Sequence, residues 1–180
     1  INDLAPVIVG SRVIYVQHQG SIIRDLAYSY DVDKYTGDDV SLLASHLFDG
    51  HEIVSITYQQ TPNSIVWCVR DDGVLLGMTY IKEQDVFAWH RHTTEGKFID
   101  VCSISGEDED ELWAVVLRDG KYYVELMASQ ISDAEPETQF YVDAGYSYSG
   151  EPVNTLTGLA WLAGKAVQVL ADGNVIQGLT

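Results

Sequence analysis

Two histidines form the clearest chemical pairing in this sequence. His90 and His92 flank Arg91, a spacing that places both imidazoles on one face of a β-strand. Imidazole nitrogens bind zinc, but a zinc site needs three or four ligands. Cys102 and His51 are the candidates for a third ligand, and no spacing connects either to the pair. We therefore predict no metal site here and interpret the pair as hydrogen-bonded or exposed.

Both cysteines, Cys68 and Cys102, lie within apolar runs. A nucleophilic thiol needs an adjacent base and a positive environment that lower its pKa, whereas Cys68 follows Trp67 among apolar neighbours. A reduced thiol in such surroundings behaves as a small hydrophobic group. Two cysteines are also too few for a disulfide scaffold. We predict two free thiols without a catalytic role.

Two acidic stretches are candidates for a function, residues 31–39 as a calcium loop and residues 107–111 through an electrostatic role. Residues 31–39 (DVDKYTGDD) carry several carboxylates, but Tyr35 stands where a calcium loop needs its third oxygen ligand, and Gly37 comes one position late. We interpret this stretch as a solvated loop that ends in a helix cap, and residues 107–111 (EDEDE) as a solvated turn. The sequence shows no phosphate-binding glycine loop, serine elbow or paired-carboxylate motif. We therefore predict no catalytic, cofactor-binding or metal-binding residues and no enzymatic activity.

Repeated hairpins are the elements that must position these residues. In Ile65–Tyr80, apolar and β-branched residues stand on both sides of an Asp-Gly pair that ends at Gly73, a strong hairpin signal. Similar patterns surround Gly20 and Gly120, which lie 53 residues before and 47 residues after Gly73. A four-stranded propeller blade takes about 40 to 45 residues, so this spacing predicts consecutive blades.

One short helix is predicted at residues 39–48, inserted between two hairpin regions. Asp38 or Asp39 can cap its first turn, and Gly50 can adopt the left-handed conformation after its last. Leu42, Leu43 and Leu47 are predicted to share a face that packs under the hairpins. This inserted helix accounts for the longer separation between Gly20 and Gly73 than between Gly73 and Gly120.

The chain is predicted to comprise two parts. Residues 1–134 form a propeller-like blade region, and residues 135–180 comprise a linker and a truncated small β-barrel module. The polar, proline-containing segment that indicates the linker spans residues 129–137. The second part is predicted to contain a strand at Tyr141–Tyr148, a compact turn at 158–164 and an Asp-Gly hairpin at 166–176. The predicted fold class is all-β, with antiparallel propeller-like blades, one short inserted helix and the start of a small β-barrel.

Composition limits the possible functions. Hydrophobic residues make up 46% and charged residues 21% of the 180 residues, which indicates a folded globular chain, and four Trp and eleven Tyr favour strands. The sequence has no stretch of about 18 apolar residues and no signal-peptide pattern, so we expect no membrane partner. A net charge of −17 repels phosphate backbones, so no nucleic-acid binding is expected. Because the first residue is Ile, we expect a fragment of a longer protein.

A long segment resembles a family of virion proteins of tailed bacteriophages and prophages. The resemblance is carried by His51–Gly73 (HEIVSITYQQTPNSIVWCVRDDG) and covers most of residues 10–127. It continues through Leu75–Tyr80 and Ala88–His92, and upstream through Arg24–Tyr30 and Leu43–Leu47.

The resemblance implies a structural role. Members of that family are tail or tail-connector components, similar to the nozzle and hub proteins of short-tailed phages, with propeller-like β-domains and small appended β-barrels. Residues Tyr141–Ile176 are similar to such a barrel. The family implies no catalytic residues, cofactors or metals. Its implied partners are other copies of this chain and other phage tail proteins, in a tail assembled after synthesis in the bacterial cytoplasm. We expect a ring or tube of subunits whose negative charge faces a channel or solvent.

A second class of function stays open at this stage. A carbohydrate- or receptor-binding module of a phage tail would bind a cell-surface glycan through two or more coplanar exposed aromatic side chains. Trp89 is the candidate in this sequence, as an exposed aromatic residue. A hydrolase ranks third and would show a cleft with converging polar groups.

Overall fold

The computed structural model of the protein describes residues 3–18, 20–129 and 142–179. The chain divides into two compact units, Ile1–Ile131 and Ser132–Thr180. The boundary predicted after residue 134 lies outside the described residues, as does most of the predicted linker. Antiparallel strands dominate the described residues, which confirms the all-β class.

Sheet I is a four-stranded meander. Its strands, in spatial and chain order, are β1 (Val7–Val9), β2 (Arg12–Val16), β3 (Ile23–Ser29) and β4 (Lys34–Thr36). Strand β4 lies in the stretch predicted to be a loop. It forms because Tyr35 pairs with Tyr28 across the sheet. The polar local sequence does not predict this contact.

Sheet II repeats this meander. Its strands are β5 (Ile53–Gln59), β6 (Ile65–Arg70), β7 (Leu75–Ile81) and β8 (Val86–His92). The central strands β6 and β7 are buried on both faces, which explains their nearly continuous apolar sequence. The predicted hairpin around Gly73 joins these two strands.

Sheet III has three strands among the described residues. They are β9 (Lys97–Ser105), β10 (Asp110–Arg118) and β11 (Lys121–Leu126), with β10 in the centre. Asp110 and Glu111 belong to β10, so the predicted acidic turn at 107–111 is shorter than expected. The hairpin around Gly120 joins β10 to β11 as predicted.

The three sheets stack on one another like successive propeller blades. Their first strands, β1, β5 and β9, lie next to each other in that order. Side chains of alternate residues fill the two spaces between the sheets. The core between sheets I and II includes Ile14, Ile23, Val66, Leu76 and Met78. The core between sheets II and III includes Trp67, Val69, Leu75, Leu112 and Val116.

The predicted helix is shorter and of a different type. It is a 3₁₀ helix, Leu42–Leu47, with non-helical backbone at Ala44, and it replaces the α-helix predicted over 39–48. The Asp39 carboxylate accepts from the backbone N–H of Ser41 rather than capping an α-helical turn. The predicted leucine face is wrong for Leu42 and Leu43, which are exposed, whereas Leu47 packs against the core as predicted. Ala44 and Phe48 are buried in the same core.

The second unit contains one hairpin among its described residues. Strands β12 (Val167–Ala171) and β13 (Asn174–Leu179) pair across the predicted Asp-Gly turn. The predicted strand at Tyr141–Tyr148 is wrong for residues 142–148, which form no strand; Tyr141 lies outside the described residues. Residues Ala160–Leu162 form one 3₁₀ turn inside the predicted compact turn. Within residues 142–179 no closed barrel is present.

Among the described residues, no helix has the length and apolar character needed to span a membrane.

Candidate functional site

His90 and His92 lie on the same face of β8, as their spacing predicts. Nδ1 of His90 is 2.9 Å from Nε2 of His92, so one ring donates a hydrogen bond to the other. Both rings also pack against the indole of Trp67, with centroid separations of 5.4 and 5.3 Å. The interpretation as a hydrogen-bonded pair therefore agrees with the geometry.

The environment of the pair favours the neutral form of both imidazoles. Burial lowers the pKa of His90, and the neighbouring His92 lowers it further. Burial also lowers the pKa of His92. The rings border an open depression of about 380 Å³ that Asn63, Thr79 and Met127 also line.

Neither candidate third ligand joins this pair. Cys102 pairs with Trp113 on the side of sheet III that faces away from sheet II, and its side chain is exposed rather than buried as its apolar sequence run suggested. His51 instead contacts two carboxylates, with Nδ1 3.1 Å from Oδ1 of Asp71 and Nε2 3.7 Å from Oδ2 of Asp72.

The contacts of His51 form a separate cluster of potential ligands. Within the described part of the chain, His51, Asp71 and Asp72 are the three such groups that gather within 4.8 Å of one another. The guanidinium of Arg70 already pairs with Asp72 and, through hydrogen bonding, lowers the pKa of that carboxyl. Arg70 thus supplies the positive charge that a cation would bring.

The acidic stretch at residues 31–39 does not converge on one point. Asp33 accepts from the hydroxyl of Tyr28, Asp38 pairs with Lys82 at 3.1 Å, and Asp39 accepts from Ser41. These carboxylates therefore serve separate turns and ion pairs.

A buried polar network joins sheets I and II. No sequence pattern predicted it. Asp25 is fully buried, and its Oδ2 lies 2.6 Å from Nη1 of Arg12 and 2.9 Å from the hydroxyl of Tyr80. Its Oδ1 accepts from the backbone N–H of Asp38 at 3.0 Å. Burial, and then the hydrogen bond to Asp25, raise the pKa of Tyr80. All three side chains come from different strands or turns, so no local spacing could have found them.

The buried cysteine has the environment predicted for it. Cys68 is fully buried between Ile56 and Leu76, and desolvation raises the pKa of its thiol well above the ordinary value. A raised thiol pKa disfavours the thiolate, which is the nucleophilic form.

Trp89 is not an exposed aromatic residue, contrary to the prediction. Its indole packs edge-to-face against Phe48 and donates a hydrogen bond to the carbonyl of Val40 at 2.8 Å. Exposed aromatic rings occur instead at Tyr28, Tyr30 and Tyr35. Their interplanar angles of 84° and 76° show edge-to-face contacts rather than a coplanar platform.

Among the described residues, exposed apolar side chains gather on the outer face of sheet III, defined as the side turned away from sheet II. Cross-strand pairs on it join Trp113 to Leu126, Val115 to Val124, and Leu117 to Tyr122. The side chains of Tyr122, Val124 and Leu126 are exposed. Strand β11 is also the last strand of this sheet among the described residues. An exposed apolar face of this kind can bind another protein surface.

The outer face of sheet I, on the side turned away from sheet II, is also apolar. Ile8, Val13 and Leu26 form one row across β1, β2 and β3. Ile8 is 70% exposed. Tyr28 and Tyr35 extend the face, so apolar side chains are present at both ends of the stack.

Comparison with known proteins adds no assignment: no protein-family model matches this chain, and no curated protein matches it.

Proposed function

We propose that this chain is a structural component of a phage or prophage tail and acts by subunit assembly rather than by catalysis. The observation that carries this proposal is the outer face of sheet III. A row of exposed apolar residues, including Tyr122, Val124 and Leu126, lies on β11, the outermost strand of sheet III among the described residues. Proteins usually cover such apolar faces with a partner.

The electrostatic character of the chain supports the same role. A net charge of −17 disfavours adhesion to DNA, which suits a component past which DNA must move. The resemblance of residues 10–127 to tail proteins supplies the biological setting for the assembly.

The polar clusters support a structural role for the interior. Asp25 is neutralised by Arg12 and hydrogen-bonded to Tyr80, and Asp72 is neutralised by Arg70. The two histidines hydrogen-bond to each other against Trp67. Each group has a partner within the fold, so these contacts hold strands and turns together.

The location of the protein in purified particles tests the proposal. Gold-labelled antibodies raised against this chain are expected to mark the tail, and mass spectrometry of the particles is expected to detect its peptides. Antibodies against an unrelated host protein serve as the control. Particles that contain no copy of this chain would reject the role in the virion.

A glycan-binding module of a phage tail is the second candidate, favoured by the exposed tyrosines. Tyr30 is 89% exposed and contacts Tyr28, which in turn contacts Tyr35. Such rings can stack on sugar faces, although their edge-to-face arrangement offers no flat platform. Binding of the wild-type chain to a glycan array, lost in Tyr30→Ala, would favour this function.

A further inference from the structure

We propose that copies of this chain associate head to tail, with the outer face of sheet III of one copy packed on the outer face of sheet I of the next. This inference rests on the proposed function as an assembly protein. It goes beyond that function by naming the partner, a second copy, and the two surfaces that meet.

The outer face of sheet III has the composition of a protein interface. Its rows combine Trp113 with Leu126 and Val115 with Val124, and Tyr122 stands at its edge. Aromatic residues are enriched in interfaces because they bury much area with little loss of rotamer freedom. Val124 is 70% exposed, so a partner would remove most of its surface from water.

The outer face of sheet I offers a matching surface. Ile8, Val13 and Leu26 form its aliphatic row, and Tyr28 and Tyr35 form an adjacent aromatic pair. The faces therefore both combine aliphatic and aromatic side chains on a sheet. Sheets pack face to face when such side chains interdigitate.

The interior of the chain shows how the two faces would meet. Sheet I packs on sheet II, and sheet II packs on sheet III, each time through alternate apolar residues of facing strands. Placing sheet III of one copy against sheet I of another continues the same stacking direction. The proposed contact is thus a third repeat of an arrangement that the fold already contains twice.

Such a contact joins two different surfaces and is therefore heterologous. Heterologous contacts produce a ring if the rotation closes and a filament if it does not. Copies with a net charge of −17 repel each other, so added salt should strengthen the association by screening that repulsion.

Two charge variants test the arrangement on the full chain. Ile8→Lys disrupts the outer face of sheet I, and Val124→Lys disrupts that of sheet III; both positions are 70% exposed, so the fold should tolerate lysine. Leu43→Lys, at a residue 95% exposed on the 3₁₀ helix, is the matched control. Sedimentation velocity is measured over a concentration series, at physiological and at higher salt.

Head-to-tail packing predicts a specific pattern. The wild-type chain and Leu43→Lys are expected to form oligomers, each of the other two variants alone is expected to stay monomeric, and their equimolar mixture is expected to form heterodimers and nothing larger. The mixture restores one contact, because Val124→Lys keeps an intact sheet I face and Ile8→Lys keeps an intact sheet III face.

Three outcomes would overturn the proposal. A wild-type chain that stays monomeric at its highest soluble concentration would show that copies do not bind each other. Association of Ile8→Lys alone would indicate that two sheet III faces meet symmetrically. A monomeric mixture would show that the two faces are not partners. The antibody and mass-spectrometry test on particles is independent, so the failure of one proposal can be told from the failure of the other.

Discussion

Asp25 shows how a single side chain can join two sheets. Its carboxylate, on β3, accepts from Arg12 on β2 and from Tyr80 on β7. A buried charge is tolerated when it is paired and its remaining lone pairs are hydrogen-bonded, and Asp25 meets both conditions. Its loss should therefore affect both sheets.

Asp25→Asn is expected to destabilise the protein by about 3 kcal/mol, since it leaves Arg12 without its counter-charge. This value lies at the low end for broken buried pairs because the Arg12 side chain is 21% exposed and keeps some contact with water. Urea unfolding measures the change. Asp85→Asn, at an exposed partner of Lys82, is the control and should cost at most about 1 kcal/mol. Equal losses in the two variants would contradict the structural role of Asp25.

The two histidines give the stability a pH dependence. Both have a lowered pKa in the folded state, so the unfolded chain binds more protons once the pH falls below about 6.5. Their contribution to stability is therefore complete above pH 6.5 and is lost as the pH falls towards their folded pKa values. The free energy of unfolding should therefore decrease as the pH is lowered from 7.5 to 5. A double variant, His90→Gln with His92→Gln, should show a shallower decrease; an unchanged slope would rule out this origin.

At the residue scale, the sequence predicted only what local spacing determines. The shared face of His90 and His92 follows from the period of two in a strand. The exposure of Cys102 and the partial burial of Trp89 depend on which sheet or helix covers each face. Asp25 could not be predicted because its partners lie 13 and 55 residues away along the chain.

At the scale of elements, the Gly73 turn is more constrained than its sequence suggests. Gly73 has φ of +92°, and its carbonyl accepts from the N–H of Phe98 at the start of β9. A Cβ at this position would lie 2.5 Å from Cβ of Lys97. Gly120 has a similar φ of +75°, but a Cβ there would meet no atom within 4 Å.

Gly73→Ala is therefore expected to destabilise the protein more than Gly120→Ala does. Both variants place alanine in the left-handed region, at a cost of about 1 to 2 kcal/mol. Only Gly73→Ala also forces apart the turn and β9, which adds about 1 to 3 kcal/mol. Urea unfolding of the two variants provides the comparison. Losses of equal size would show that the turn is not tightly packed against β9.

Hairpins were the most predictable elements, because Asp-Gly turns between apolar runs encode them locally. The 3₁₀ helix was harder to predict, since Ala44 and Phe48 pack into the core and leave Leu42 and Leu43 exposed. Strand β4 depends on pairing with β3. The strand predicted over residues 142–148 has no pairing partner in the described part of the chain. In each case the structure was decided by whether a tertiary contact was available and not by the local sequence pattern.

At the scale of the whole molecule, charge is the dominant property. A net charge of −17 is expected to prevent measurable DNA binding at physiological salt. Fluorescence anisotropy of a labelled duplex measures this, with a basic DNA-binding protein as the positive control. Tight binding that weakens as salt is added would contradict the expected repulsion.

The join between β5 and β9 has a consequence for curvature. Side chains bridge these two first strands: the Ser55 hydroxyl donates to Asp100 at 2.6 Å, and Thr57 Oγ1 accepts from the N–H of Ser103 at 3.1 Å. Two hydroxyl groups therefore help to set the distance, and with it the splay angle, between sheets II and III. In any closed arrangement of blades, that angle fixes how many fit around the circle. Replacing Ser55 or Thr57 with a larger residue would push these two adjacent strands apart, narrow the splay angle and raise the number of blades that complete one turn.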